Sequence, residues 1–140
     1  MKEPVIGVTE LNMNMATFAR DAVRLLNKAA FSGAVLIQNE AKSGHGPDAH
    51  ARGRYEDKTS NLTNSIQAER PKTFGAKIIS VIVAGLEYAA PVELGGTYKP
   101  PNGKAWRSAA YPFMFPAMES QKRSVLDLVV RLIQSIKWVN

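Results

Sequence analysis

The chain has 140 residues, the length of a single domain with one core, and no cysteine, which excludes disulfides and thiolate chemistry and fits a reducing compartment. Its 45% apolar and 21% charged content is that of a globular domain rather than a disordered, collagen-like or coiled-coil chain. The net charge of +6 is uneven: from residue 96 onward Lys99, Lys104, Arg107, Lys122, Arg123, Arg131 and Lys137 stand against only Glu119 and Asp127, a bias that suits an anionic neighbour.

Met1-Lys2-Glu3-Pro4 is not the start of a basic-then-apolar leader, and the longest uncharged apolar run, Ile78 to Leu86, is far shorter than the roughly 20 residues that span a bilayer. The product is therefore expected to stay where it is made, with no membrane partner. Val5, Ile6 and Val8 read as a short first strand ended by Thr9. From about Leu11 to Lys42, Phe18, Ala22, Leu25, Leu26, Ala29, Leu36 and Ile37 recur at helical spacing, giving one long amphipathic helix with a bend at Ser32-Gly33.

Residues 43–58 lack large aliphatic side chains and read as an exposed, flexible loop. Thr59 then supplies a capping hydroxyl, and Leu62 and Ile66 share a face of a helical turn. A β-hairpin follows, from Ser65 around Pro71 and Gly75 into Ile78-Ile79 and Val81-Ile82-Val83. Tyr88 to Leu94 form a brief helix or turn broken by Gly95-Gly96, and 95–108 make a second flexible stretch with Asn102-Gly103 as a hairpin tip. Pro112 and Pro116 frame Phe113, Met114 and Phe115 as an extended entry to the last helix, with Phe113 turned inward and Phe115 toward solvent. That helix carries the stripe Val125, Leu128, Val129, Leu132, Ile133 and Ile136, with Pro116 in its first turn. The expected fold is α+β: an antiparallel sheet packed by a long N-terminal and a C-terminal helix, in a single domain over residues 1–140.

Catalytic constellations are missing from this pattern. His45, Asp48 and His50 sit among glycines without a fourth ligand or rigid scaffold, no GxSxG or phosphate-binding loop occurs, and Glu56-Asp57 are adjacent rather than facing. No enzyme activity, metal or cofactor is expected. Glu93, in an apolar segment, needs backbone N–H donors or an arginine. Trp106, Tyr111, Phe113 and Phe115, near Lys104 and Arg107, form an aromatic and basic mixture suited to packing or to stacking on bases.

Three strings in order carry a resemblance: Arg54-Tyr55-Glu56-Asp57-Lys58-Thr59-Ser60-Asn61-Leu62-Thr63-Asn64-Ser65-Ile66, then Tyr88-Ala89-Ala90-Pro91-Val92-Glu93-Leu94-Gly95, then Tyr111-Pro112-Phe113-Met114-Phe115-Pro116-Ala117-Met118-Glu119. The chain resembles the small neck, or tail-completion, proteins of long-tailed bacteriophages, also described as minor tail or head-tail joining proteins. Leu62, Ser65, Ile66, Tyr88, Val92, Glu93, Gly95, Pro112, Phe113 and Pro116 match the family's structural motifs. Departures are Ser60, where the family usually has glycine, Thr63, where a basic residue is frequent, and the additional Gly96 before Thr97.

The resemblance implies a non-catalytic virion protein, made in the host cytoplasm and built into the tail or neck. It would form a homo-oligomeric ring, with sixfold symmetry expected, around the DNA channel and against the tail tube and head-connector or head-closure proteins. The two polar segments become assembly arms. Candidate contacts to a subunit or partner are Arg52, Arg54 and Tyr55 on the first arm and Tyr98, Lys104, Trp106 and Arg107 on the second, with Phe115 at the edge of the last helix. A small basic nucleic-acid-binding module is the alternative, although no helix-turn-helix or zinc-finger spacing is present.

Overall fold

A computed structural model describes residues 8–45 and 54–136. The chain runs α1 (Val8–Lys42), α2 (Asn61–Ser65), β1 (Ile66–Ala68), β2 (Lys72–Phe74), β3 (Lys77–Ile79), β4 (Ile82–Ala84), α3 (Ala89–Leu94), β5 (Gly96–Tyr98), β6 (Trp106–Ser108) and α4 (Met114–Gln134). This is an α+β fold with long helices at both ends. The strands make three separate two-stranded antiparallel sheets, β1-β4, β2-β3 and β5-β6, in place of one larger sheet.

Val8, expected in a first strand, already belongs to α1, while Val5 and Ile6 lie outside the described residues. α1 continues through Ser32-Gly33 as helix. The reason for Gly33 is packing: a Cβ there would stand 2.9 Å from Cγ1 of Val125 on α4. Ala29 and Ala34 beside it are also buried, so the small side chains of α1 let the two helices approach closely. α4 packs chiefly on α1, and α1 also meets β1 and β3. The helices were expected to cover a sheet; they pair with each other because the short strands offer no broad apolar face.

β1 to β4 form one interrupted hairpin. Ile66 pairs with Ala84 and Ala68 with Ile82, while Lys72 pairs with Ile79 and Phe74 with Lys77. Between these ladders Glu69 N–H donates to the Val81 carbonyl at 2.8 Å, leaving Arg70 and Pro71 opposite Ser80 alone. The extra residue is a bulge at the proline, which has no N–H for the ladder. β1 and β4 therefore stay on the core, while β2 and β3 project with five of their six residues exposed.

The core is compact and sits where the C-terminal end of α1 meets α2, β1, α3 and the start of α4. Ala41, Tyr55, Leu62, Ile66, Ala89, Val92, Phe113 and Ala117 are buried together, with Ile37, Ile82, Leu86 and Tyr88 packed around them. Leu62 and Ile66 are the largest fully buried side chains, although Ile66, expected on the same helical face as Leu62, is already extended in β1.

The loop expected over 43–58 is anchored at both ends. His45, which sequence reasoning left in solvent, is buried; its ring stacks on Tyr55 with centroids 3.9 Å apart. Its Nε2 lies 2.7 Å from the Ala41 carbonyl oxygen and its Nδ1 3.2 Å from that of Tyr55. Tyr55, expected at a subunit contact, is 5% exposed and meets Phe113 edge-on at 5.1 Å. A ring this large next to a thin alanine-lined helix end fills volume that no aliphatic residue of the loop supplies. Arg54 ties the same base by donating to the Ser43 carbonyl at 2.8 Å. Arg52, Asp48 and His50 lie outside the described residues.

Candidate functional site

The first turn of α4 is built by a residue twenty positions earlier. The Glu93 carboxylate accepts the N–H of Phe113 at 2.6 Å and of Met114 at 3.0 Å on Oε2, and that of Phe115 at 3.0 Å on Oε1. A helix start leaves its first N–H groups without intrahelical partners and carries the positive end of the macrodipole, so a carboxylate is the matching acceptor. The next residue, Pro116, has no N–H. Glu93 thus takes the backbone-donor role, one of the two its sequence context allowed, and among the described residues no arginine pairs with it. Phe113 and Phe115 do separate as expected, with Phe113 4% and Phe115 61% exposed. The cause differs from the extended entry that was anticipated: Met114 and Phe115 are already helical, so the turn of the helix carries Phe115 away from the core while Met114 still packs against it.

At α2 a similar substitution of roles occurs. Ser60 adopts φ 58°, the only positive φ of a non-glycine among the described residues, and makes no side-chain cap. Asp57 caps instead, its Oδ2 accepting the Thr63 N–H at 2.7 Å. Ser60 therefore enters the left-handed region that a glycine would occupy without strain. Gly95 ends α3 at φ 75°, where a Cβ would come within 3.1 Å of the Ala110 nitrogen.

Residues 95–108, expected as a second polar arm with Asn102-Gly103 at a hairpin tip, do form a hairpin, β5-β6, in which Tyr98 pairs with Trp106 and Thr97 with Arg107. The rings of Tyr88, Tyr98 and Trp106 lie 5.7 to 6.3 Å apart, centroid to centroid, at tilted angles. They line an open concavity of about 1000 Å³ that also includes Leu62, Pro100 and Tyr111, with Glu56, Asp57, Lys58 and Arg107 among its polar residues. The Tyr98 hydroxyl donates to Glu87 at 2.9 Å, and that bond raises the Tyr98 pKa. Burial, and then the charge of Asp57, raise that of Tyr88. The Tyr98 phenol thus meets a carboxylate at the edge of the bowl.

A second apolar hollow, about 610 Å³, lies between α1, β4 and the start of α4, with Phe115, Met118 and Val81 at its mouth.

Of the residues expected to make contacts, Tyr98, Trp106 and Arg107 come together on the bowl. Phe115 lies on the other hollow, Lys104 is exposed in the β5-β6 loop, and Arg54 serves the base of the first loop. The aromatic group read from sequence is split: Trp106 and Tyr111 line the bowl, Phe113 enters the core and Phe115 faces out. Sequence reasoning missed Tyr88 as the third ring of the bowl and missed the exposed Phe74 at the tip of β2-β3. The signal for Phe74 was Phe-Gly within a lysine-flanked hairpin, where one face has nothing to pack against. Among the described residues no three His, Cys, Asp or Glu side chains gather as metal ligands, and no helix is long and apolar enough to cross a membrane.

Searches of protein families, curated proteins and solved structures find no match to this chain.

Proposed function

We propose that this protein is a structural virion subunit of a long-tailed bacteriophage. It forms a ring at the head-proximal end of the tail or in the neck, joins or completes the tail, and surrounds the DNA channel. The observation that carries this reading is the convergence of the three strings that resemble the neck and tail-completion proteins. They supply seven of the eight residues of the core, all but Ala41. Glu93 of the second string also holds the helix start formed by the third.

The rest of the molecule suits a subunit with neighbours on several sides. Phe74 on β2, Leu94 on α3, and Phe115, Met118, Leu126 and Val130 on α4 are large apolar residues left exposed. A ring contact joins two different surfaces and closes by rotation, so such a distribution is expected. Part of the basic excess faces the DNA, where backbone charge rather than sequence is felt. No step of this role is catalytic or needs a cofactor. Its partners are further copies of itself, the tail tube and the head-connector or head-closure proteins, and its place is the virion after assembly in the host cytoplasm.

Mixing the purified chain with tail tubes tests the reading: it binds at one end of the tube and leaves short duplex DNA free at physiological salt. Tight duplex binding by the isolated chain, weakening steeply as salt rises, would identify a small nucleic-acid-binding module instead.

A further inference from the structure

The β2-β3 hairpin meets its own chain through β3 against α1, with Ile78 half-buried, and leaves its other face open. Two-stranded hairpins are marginal in water, and this one presents Phe74 at 59% and Ile79 at 44% exposure, beside Lys72 and Lys77 and next to Arg70. On the other side of the account, the aromatic bowl is open and apolar, and Glu56 and Asp57 line it, with Glu87 held at its Tyr98 edge. Lys58 and Arg107 line it as well. Among the described residues no ion pair within 4.0 Å engages Lys72, Lys77, Glu56 or Glu87, although Asp57 accepts the Thr63 N–H and Glu87 the Tyr98 hydroxyl.

We propose that the β2-β3 hairpin of one copy seats Phe74 against Tyr88, Tyr98 and Trp106 of the next copy, with Lys72 and Lys77 meeting Glu56 and Glu87. The inference rests on the ring reading and names its contact. An apolar tip between lysines suits an aromatic bowl whose carboxylates, Glu56, Asp57 and Glu87, outnumber its cations, Lys58 and Arg107. Because the hairpin and the bowl are different surfaces of one chain, each copy uses both, and the contact propagates head to tail until it closes. A second copy is the favoured occupant because the chain itself carries the matching knob.

Two experiments test this. A photocrosslinking phenylalanine analogue at position 74, in the otherwise unchanged chain, should join to a peptide within residues 87–108 of another copy. Crosslinks only to α1 or α4, or none in concentrated protein, would overturn the proposal. In the second, a Lys72→Glu/Lys77→Glu variant and a Glu56→Lys/Glu87→Lys variant are compared, each checked by thermal melting. Each alone should self-associate about 10-fold or more weakly than the parent, and an equimolar mixture should recover, since reversed hairpins then meet reversed bowls. Two folded variants that stay separate on mixing, or that each form parent-like rings, would also overturn it. Rings that persist in both variants leave the ring reading standing, whereas tails that carry no such ring defeat that reading and leave a hairpin-mediated contact intact.

Discussion

Glu93 and Phe113, twenty residues apart, are joined by a 2.6 Å hydrogen bond from the phenylalanine N–H to the carboxylate, which places the end of α3 directly under the start of α4. The same carboxylate serves Met114 and Phe115, so one side chain fixes where the last helix begins and how Phe113 enters the core. Glu93→Ala should cost about 3 kcal/mol, because hydrogen bonds to a charged acceptor are each worth more than neutral ones and the helix dipole adds to them. Glu93→Gln, which keeps an acceptor but loses the charge, should fall between the variant and the parent. Urea unfolding of the three proteins measures this; equal stability would show that the cap is dispensable.

His45 gives a second expectation, because it is buried where the sequence reads as an exposed loop. His45→Ala alone removes a ring stacked on Tyr55 and strands two carbonyl contacts in the core. The loss should be about 2 to 3 kcal/mol, the range for a buried truncation that also unpairs polar groups. Thermal melting that leaves His45→Ala unchanged would contradict the buried placement.

Ser60 offers a gain instead of a loss. A left-handed conformation costs an ordinary residue roughly 1 to 2 kcal/mol, and glycine avoids it at the expense of about 0.5 to 1 kcal/mol of chain entropy. Ser60→Gly should therefore stabilise by about 0.5 to 1 kcal/mol, while Ser60→Ala should not. A gain from alanine equal to that from glycine would rule out strain at this turn.

Alkaline stability follows from Tyr55. Burial pushes its phenol up to about 12, while in the unfolded chain it ionises near the ordinary value of about 10. Between those values the unfolded chain holds fewer protons, so stability is complete below pH 10 and falls as pH rises toward 12. Tyr88 and Tyr98 are shifted in the same direction. Tyr55→Phe should flatten the fall without abolishing it; an unchanged slope in chemical denaturation from pH 9 to 12 would place the titration elsewhere.

Much of the architecture was legible because it rests on local rules. The α4 stripe and Pro116 and the demand of Glu93 for donors each follow from spacing or from the cost of an unsatisfied charge. What was not legible depends on contacts distant in sequence. Gly33 read as a bend because its neighbour Val125 lies on another helix. The first loop read as solvent-exposed because His45 and Tyr55 are polar-tipped rings whose burial is set by Phe113. The aromatic bowl needed Tyr88 brought beside a hairpin that begins after α3, which no window of sequence displays.

The central claim, that this chain is a ring-forming subunit of a phage tail or neck, is tested most directly by electron microscopy of purified tails whose copy of this protein carries a visible tag. The account predicts tagged density in a closed ring, sixfold in projection, at the head-proximal end. Tails that are complete and infectious without the protein, or tag density absent from that end, would contradict it.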